Sequence, residues 1–169
     1  MYSDGDHYLP AVAGIDDVKA FLPTMKNVLV LGSGLGSMVQ VIRAKGYSPH
    51  FTIVDNDEVV LRWAMEFFDE KGISKINPVC ADANEFMMLN VATFDLIFID
   101  IFSGRVVPEF VYSPIFLQRC HDSLSVYGRL VFNYIINDDI QWEDVKSTFS
   151  AIFPGYHAIN LGLNQILIA

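Results

Sequence analysis

Five residues with three glycines among them, Gly32-Ser33-Gly34-Leu35-Gly36, follow directly on the apolar run Val28-Leu29-Val30-Leu31. Glycines at such a point permit a tight turn and let a ligand approach bare backbone at a helix N-terminus. The dinucleotide fingerprint wants its third glycine at position 37, where this chain has Ser37, so the GxGxG spacing favours a nucleoside-type cofactor over a pyrophosphate. Tight packing of helix on strand is the other reason for glycine here.

Carboxylates recur beyond this loop. Asp55 stands 23 residues after Gly32 at the tip of a second apolar run, where a carboxylate can accept two hydrogen bonds from a ribose diol. Asn56 joins it as a cofactor-binding candidate, and Asp57 could serve the same ribose or cap the next helix. Asp82, with the amide of Ala83, could read an adenine amino edge or cap a helix in its turn. Asp100 ends the run Phe94 to Ile99, beside the crevice where ligands of open α/β sheets sit. It could orient an attacking amine, contact the charged end of a cofactor, or be a satisfied structural acid. Ser103, Arg105, Glu109, Asn133 and Tyr134 are further candidates for the same edge.

These residues need a scaffold that brings four separate run ends together. Strands are expected at 28–31, 51–54, 76–80, 94–100 and 129–134, with helices at 38–45, 58–71, 83–91, 114–124 and 141–153 between and after them. A closing hairpin spans 156–161 and 165–168 around Gly162-Leu163-Asn164. Strands alternating with helices specify a three-layer α/β fold with a seven-stranded, mainly parallel sheet and a C-terminal antiparallel hairpin. The carboxylates should all open on one sheet edge, with the first and fourth strands adjacent at its centre. Residues 1–24, with Pro10, Gly14 and Pro23, are expected as an N-terminal arm with a short helix near 15–22, and residues 25–169 as the ligand-binding domain. Tyr2, His7 and Tyr8 are the residues of that arm that could cover a site.

The 169 residues suit one core, and 52% hydrophobic with 18% charged content describes a chain that buries much of itself. A net charge of −9 argues against nucleic acid and favours a cationic small molecule or a basic protein surface as partner, unless it only maintains solubility. Apolar stretches of about seven to ten residues fall short of the about 20 needed to cross a bilayer. The acidic start lacks the features of a secretory signal, so the expected compartment is the cytoplasm. Cys80 and Cys120 are expected as buried thiols, and the scattered histidines His7, His50, His121 and His157 suggest no metal site.

The ordered segments VLVLGSGLG, IVDNDEVV, CADANEF, FDLIFIDIF and PIFLQRCHDSLSVYGRLVFN resemble the successive motifs of class I S-adenosylmethionine-dependent methyltransferases, and within them the spermidine-synthase-like branch. The resemblance covers residues 27–135 and, in architecture, 141–169. It implies a Rossmann-like methyltransferase fold with S-adenosylmethionine as cofactor: Gly32, Gly34 and Gly36 around it, Asp55 on the ribose, and Asp82 with Ala83 at the adenine; Ser33 and Asn56 are further cofactor-binding candidates beside these, and Asp100 is the catalytic candidate. Spermidine synthases carry an acidic residue where this chain has Leu35 and a second aspartate where it has Ser103, and they add an N-terminal β-domain that residues 1–24 are too few to build. These departures point to methyl transfer ahead of aminopropyl transfer, with a noncatalytic binding module as the third reading.

Overall fold

A computed structural model describes residues 8–169. Seven strands form one sheet: β1 (Asn27–Leu31), β2 (His50–Asp55), β3 (Ile76–Cys80), β4 (Phe94–Ile99), β5 (Leu124–Ile135), β6 (His157–Leu161) and β7 (Asn164–Ile168). Their order is β3-β2-β1-β4-β5-β7-β6, with β1 to β5 parallel and β7 antiparallel to both β5 and β6. As the sequence predicts, β1 and β4 are neighbours at the centre. The order reverses there, because the chain runs outward from β1 through β2 to β3 and then returns to β4 on the other side. Such a reversal opens a crevice at the C-terminal strand ends.

Strand side chains alternate between two faces, and each face has its own core. Val28, Val30, Leu96, Phe98 and Val131 belong to one, which α1 (Leu9–Asp17), α2 (Ser37–Ala44) and α3 (Glu58–Glu70) cover. Leu29, Leu31, Ile97, Ile99, Leu130 and Phe132 belong to the other, under α4 (Ala83–Leu89), α5 (Pro114–Asp122) and α6 (Asp139–Ile152). The uninterrupted apolar sequences of β1 and β4 follow from burial on both faces.

Side-chain caps begin four of the helices: Asp57 at α3, Asp82 at α4, Ser113 at α5 and Asp138 at α6 accept from amides of the first turn. A cap of this kind contributes about 1 kcal/mol. On α3 the buried stripe is Leu61, Ala64 and Phe68, whereas Val59 and Trp63, which helical spacing would bury, are about half exposed.

Three expectations are corrected. The first helix occupies Leu9–Asp17 rather than 15–22, and a 3-10 turn follows at Leu22–Thr24. Pro10 lies in the first turn, where no amide is needed, and Gly14 is a contact point: a Cβ there would fall 2.5 Å from Val131 Cγ1. The segment is thus part of the core, with Ala11, Ile15 and Val18 buried. Next, β5 starts five residues early, with a register irregularity against β4 between Phe94 and Leu96. Lastly, Cys120 is buried as expected but Cys80 is exposed, because β3 is an edge strand with one partner, β2.

Candidate functional site

The glycine-rich loop owes its glycines to different causes. Gly32 has φ +84°, and a Cβ on it would lie 2.3 Å from the backbone oxygen of Asp100, so the loop can pass the end of β4 only without a side chain. Gly36 has φ +79°, and its Cβ would meet the Phe68 ring at 2.1 Å. Gly34, at φ +46°, faces open space with no atom within 4 Å of the same position. Packing of helix and strand therefore explains Gly32 and Gly36, while Gly34 alone presents bare backbone to a ligand.

Asp55 fixes this loop. Its Oδ2 accepts from the Ser33 amide (2.9 Å), the Ser33 hydroxyl (3.1 Å) and the Gly34 amide (3.3 Å), and its Oδ1 accepts from the Asp57 amide (3.0 Å). Asp57 Oδ1 in turn caps α3 through the amides of Val59 (2.9 Å) and Val60 (3.2 Å). Asp82 Oδ1 caps α4 through Asn84 (2.8 Å) and Glu85 (3.1 Å). Capping is thus the role the structure shows for both Asp57 and Asp82.

Two chambers open at the strand ends. The first, of about 420 Å³, is lined by Gly32, Gly34, Asp55, Asn56, Asp57, Asp82, Ala83 and Asp100 along with apolar residues of the loop after β4. The second, of about 300 Å³, holds Tyr8, Ser33, Leu35, Met38, Trp63 and Phe98 in its walls. They share Gly32, Gly34, Val60, Asp100 and Phe102. The carboxylates therefore open on one edge, as expected; Gly36 lines neither chamber because it is covered by Phe68.

Asp100 sits where the chambers meet. Its Oδ1 accepts from Asn133 Nδ2 (2.8 Å) and from the Tyr8 hydroxyl (3.2 Å), and Asn133 Nδ2 also donates to the Tyr8 oxygen (2.9 Å). Asn164 Nδ2 donates to Asn133 Oδ1 (2.8 Å), which sets the amide so that its nitrogen faces Asp100. Burial pushes the Asp100 carboxyl up to about 6, against the lowering effect of the Asn133 and Tyr8 bonds. Burial and the adjacent carboxylate push the Tyr8 phenol up as well, so it stays a donor.

Neighbouring candidates separate. Asn133 faces Asp100, while Tyr134, one residue on, points through the opposite face and donates to Gln141 Oε1 on α6 (2.9 Å). Strand alternation forbids both from serving the site. Ser103 lines the first chamber, Arg105 is exposed, and Glu109 borders a separate groove between α5 and α6. Tyr2 and His7 lie outside the described residues. Sequence reasoning missed the roles of Trp63, Phe102 and Asn164: Trp63 passes for an ordinary core residue of an amphipathic helix, and nothing in the order of residues links Asn164 to position 133.

No family model matches the chain. It is 25% identical over 140 residues to a polyamine aminopropyltransferase of Vibrio vulnificus, covering 81% of this chain and 46% of that one. It is 28% identical over 135 residues to an N-terminal histidine N-methyltransferase of Emericella nidulans, covering 76% and 23%. The chain thus spans less than half the length of these curated relatives. Among solved structures, a probable spermidine synthase from Corynebacterium glutamicum superposes with a TM-score of 0.80 at 22% identity, over 96% of this chain and 63% of that one. Human methyltransferase-like protein 13, in complex with SAH, gives 0.78 at 20%, over 95% and 78%.

Proposed function

We propose that this chain, whose fold is the Rossmann-like one of S-adenosylmethionine-dependent methyltransferases and spermidine synthases, is an S-adenosylmethionine-dependent methyltransferase acting on an amine. The observation that carries this reading is Asp100, held by Tyr8 and Asn133 at the junction of two chambers, one with the donor and acceptor set of a nucleoside site.

The residues of the first chamber fit that cofactor. Gly34 leaves open space over bare backbone; Asp55 and Asn56 line the chamber and would take the ribose diol, and Asp82 with Ala83, one strand further along, would take the adenine edge. When bound in this chamber, the cofactor would supply an electrophilic methyl carbon on a sulfonium sulfur, which would keep the electron pair of the C–S bond when the methyl passes to an amine nitrogen. The protein's part is largely proximity and orientation. Asp100, with a pKa of about 6, is a carboxylate at pH 7.5 and still basic enough to accept a hydrogen bond or proton from the acceptor nitrogen.

Aminopropyl transfer is the second reading, and the likeness to a polyamine aminopropyltransferase favours it. The first chamber also presents Asp55, Asp57, Asp82 and Asp100 and, among its described lining residues, no lysine, arginine or histidine, which suits a cofactor lacking a carboxylate. Against it, Ser103 stands where the spermidine synthases place their second aspartate.

Thermal unfolding with S-adenosylmethionine, S-adenosylhomocysteine, decarboxylated S-adenosylmethionine and NAD tests both readings, since a ligand of the folded state raises Tm by mass action. Stabilisation by the first two, none by NAD, and methyl transfer to amines exceeding aminopropyl transfer to putrescine is expected. Aminopropyl product forming at a comparable rate makes the second reading the function. Binding of S-adenosylhomocysteine without either product points to a noncatalytic module.

A further inference from the structure

The second chamber differs from the first in its chemistry. Its walls are mainly apolar, with Leu35, Met38 and Val60 and the aromatic side chains of Tyr8, Trp63 and Phe102 beside the polar Ser33 and Ser37. Asp100 is the single carboxylate among its described lining residues, and no lysine, arginine or histidine is among them. Among the described residues, both hydrogen bonds to the Asp100 carboxylate fall on Oδ1, and Oδ2 is the atom offered to a ligand.

We infer that this second chamber is the acceptor site and that it takes a monoamine with an apolar body; the inference rests on the transferase reading above. An ammonium group beside Asp100 gains a charge-assisted hydrogen bond, and aromatic faces within about 6 Å attract the same charge. The apolar body of the ligand covers Leu35, Met38 and Val60. A diamine fares worse, because its second ammonium meets no second carboxylate among the described lining residues and loses its hydration uncompensated. The volume of about 300 Å³ lies at the lower end of small-molecule sites.

Calorimetric titration of the full chain with benzylamine, benzyl alcohol and putrescine tests this, with S-adenosylhomocysteine titrated separately. Benzylamine should bind at least tenfold more tightly than either putrescine or benzyl alcohol. Trp63→Leu, at the chamber rim, should weaken benzylamine at least threefold, and the isosteric Asp100→Asn at least tenfold. Putrescine binding as tightly as benzylamine overturns the inference, as does benzylamine affinity insensitive to both substitutions. S-adenosylhomocysteine failing to bind while the benzylamine pattern holds removes the transferase reading and leaves the amine site standing. S-adenosylhomocysteine binding without benzylamine does the reverse.

Discussion

The two chambers that meet at Asp100 are built by different means. In the first, the carboxylates of Asp55, Asp57 and Asp82 sit at strand ends and are bound to backbone amides within a few residues of themselves or in the adjacent glycine loop. In the second, Tyr8, Met38, Trp63, Phe98 and Phe102 come from the N-terminal segment, α2, α3, β4 and the loop after it. A polar site can thus be placed by local backbone geometry, whereas an apolar one depends on how separate elements pack. Perturbing the loop, the strand ends or the Asp57 cap of α3 should act on both chambers; perturbing the Asp82 cap of α4 should act on the first alone.

Gly32→Ala should have the largest effect, because it combines a left-handed φ with a clash against the Asp100 backbone at the shared wall. A loss of about 3–4 kcal/mol in urea unfolding is expected, from the conformational and overpacking costs together. A loss under 1 kcal/mol would mean that the loop and β4 are not rigidly apposed.

Asp100→Asn tests the junction through pH. The folded pKa of about 6 lies above the ordinary 3.8, so the native state binds the proton more tightly than the unfolded chain. Stability from this group is present below about pH 4 and is lost as pH rises through about 6. Wild type should therefore lose on the order of 2–3 kcal/mol between pH 4 and 7.5 relative to the asparagine variant, which lacks this titration. Parallel stability curves would mean that Asp100 is well solvated.

Asp55→Ala removes the acceptor of three amides and the Ser33 hydroxyl. S-adenosylhomocysteine affinity should fall by about 1.5–3 kcal/mol, measured by calorimetry. Since Asp55 belongs to the first chamber only, benzylamine affinity should change less; an equal loss in both would show that the loop couples them.

Gly34→Ala is the smallest perturbation of the fold, costing about 1 kcal/mol for its positive φ alone, because no atom lies where the methyl would go. Its effect on S-adenosylhomocysteine binding should exceed that, since the methyl enters the space proposed for the cofactor. Unchanged binding would place the ligand away from this loop.

The parts of the site that lie next to each other along the chain were legible in the order of residues. Apolar runs ending at Asp55 and Asp100, and a GxGxG loop after the first strand, locate the ends of β1, β2 and β4 within one or two residues. Reading proline and glycine as breakers misplaces the first helix. Pro10 occupies a first turn that needs no amide, and Gly14 lets the helix approach Val131. The pairing of Asn133 with Asp100, and its separation from Tyr134, needed the strand register.

By itself the sequence determined the α/β alternation, the parallel sheet with its antiparallel end, and the edge on which the carboxylates gather. Periodicity, capping and turn chemistry are local, and right-handed crossovers leave few topologies for such a pattern. Only the tertiary structure decided which glycine faces open space, that Tyr8, Asn133 and Asn164 converge on Asp100, and that Trp63 borders a chamber instead of filling the core. These depend on distances between residues 30 to more than 90 positions apart. Such distances are set by the packing of whole elements, which leaves no periodic trace in the chain.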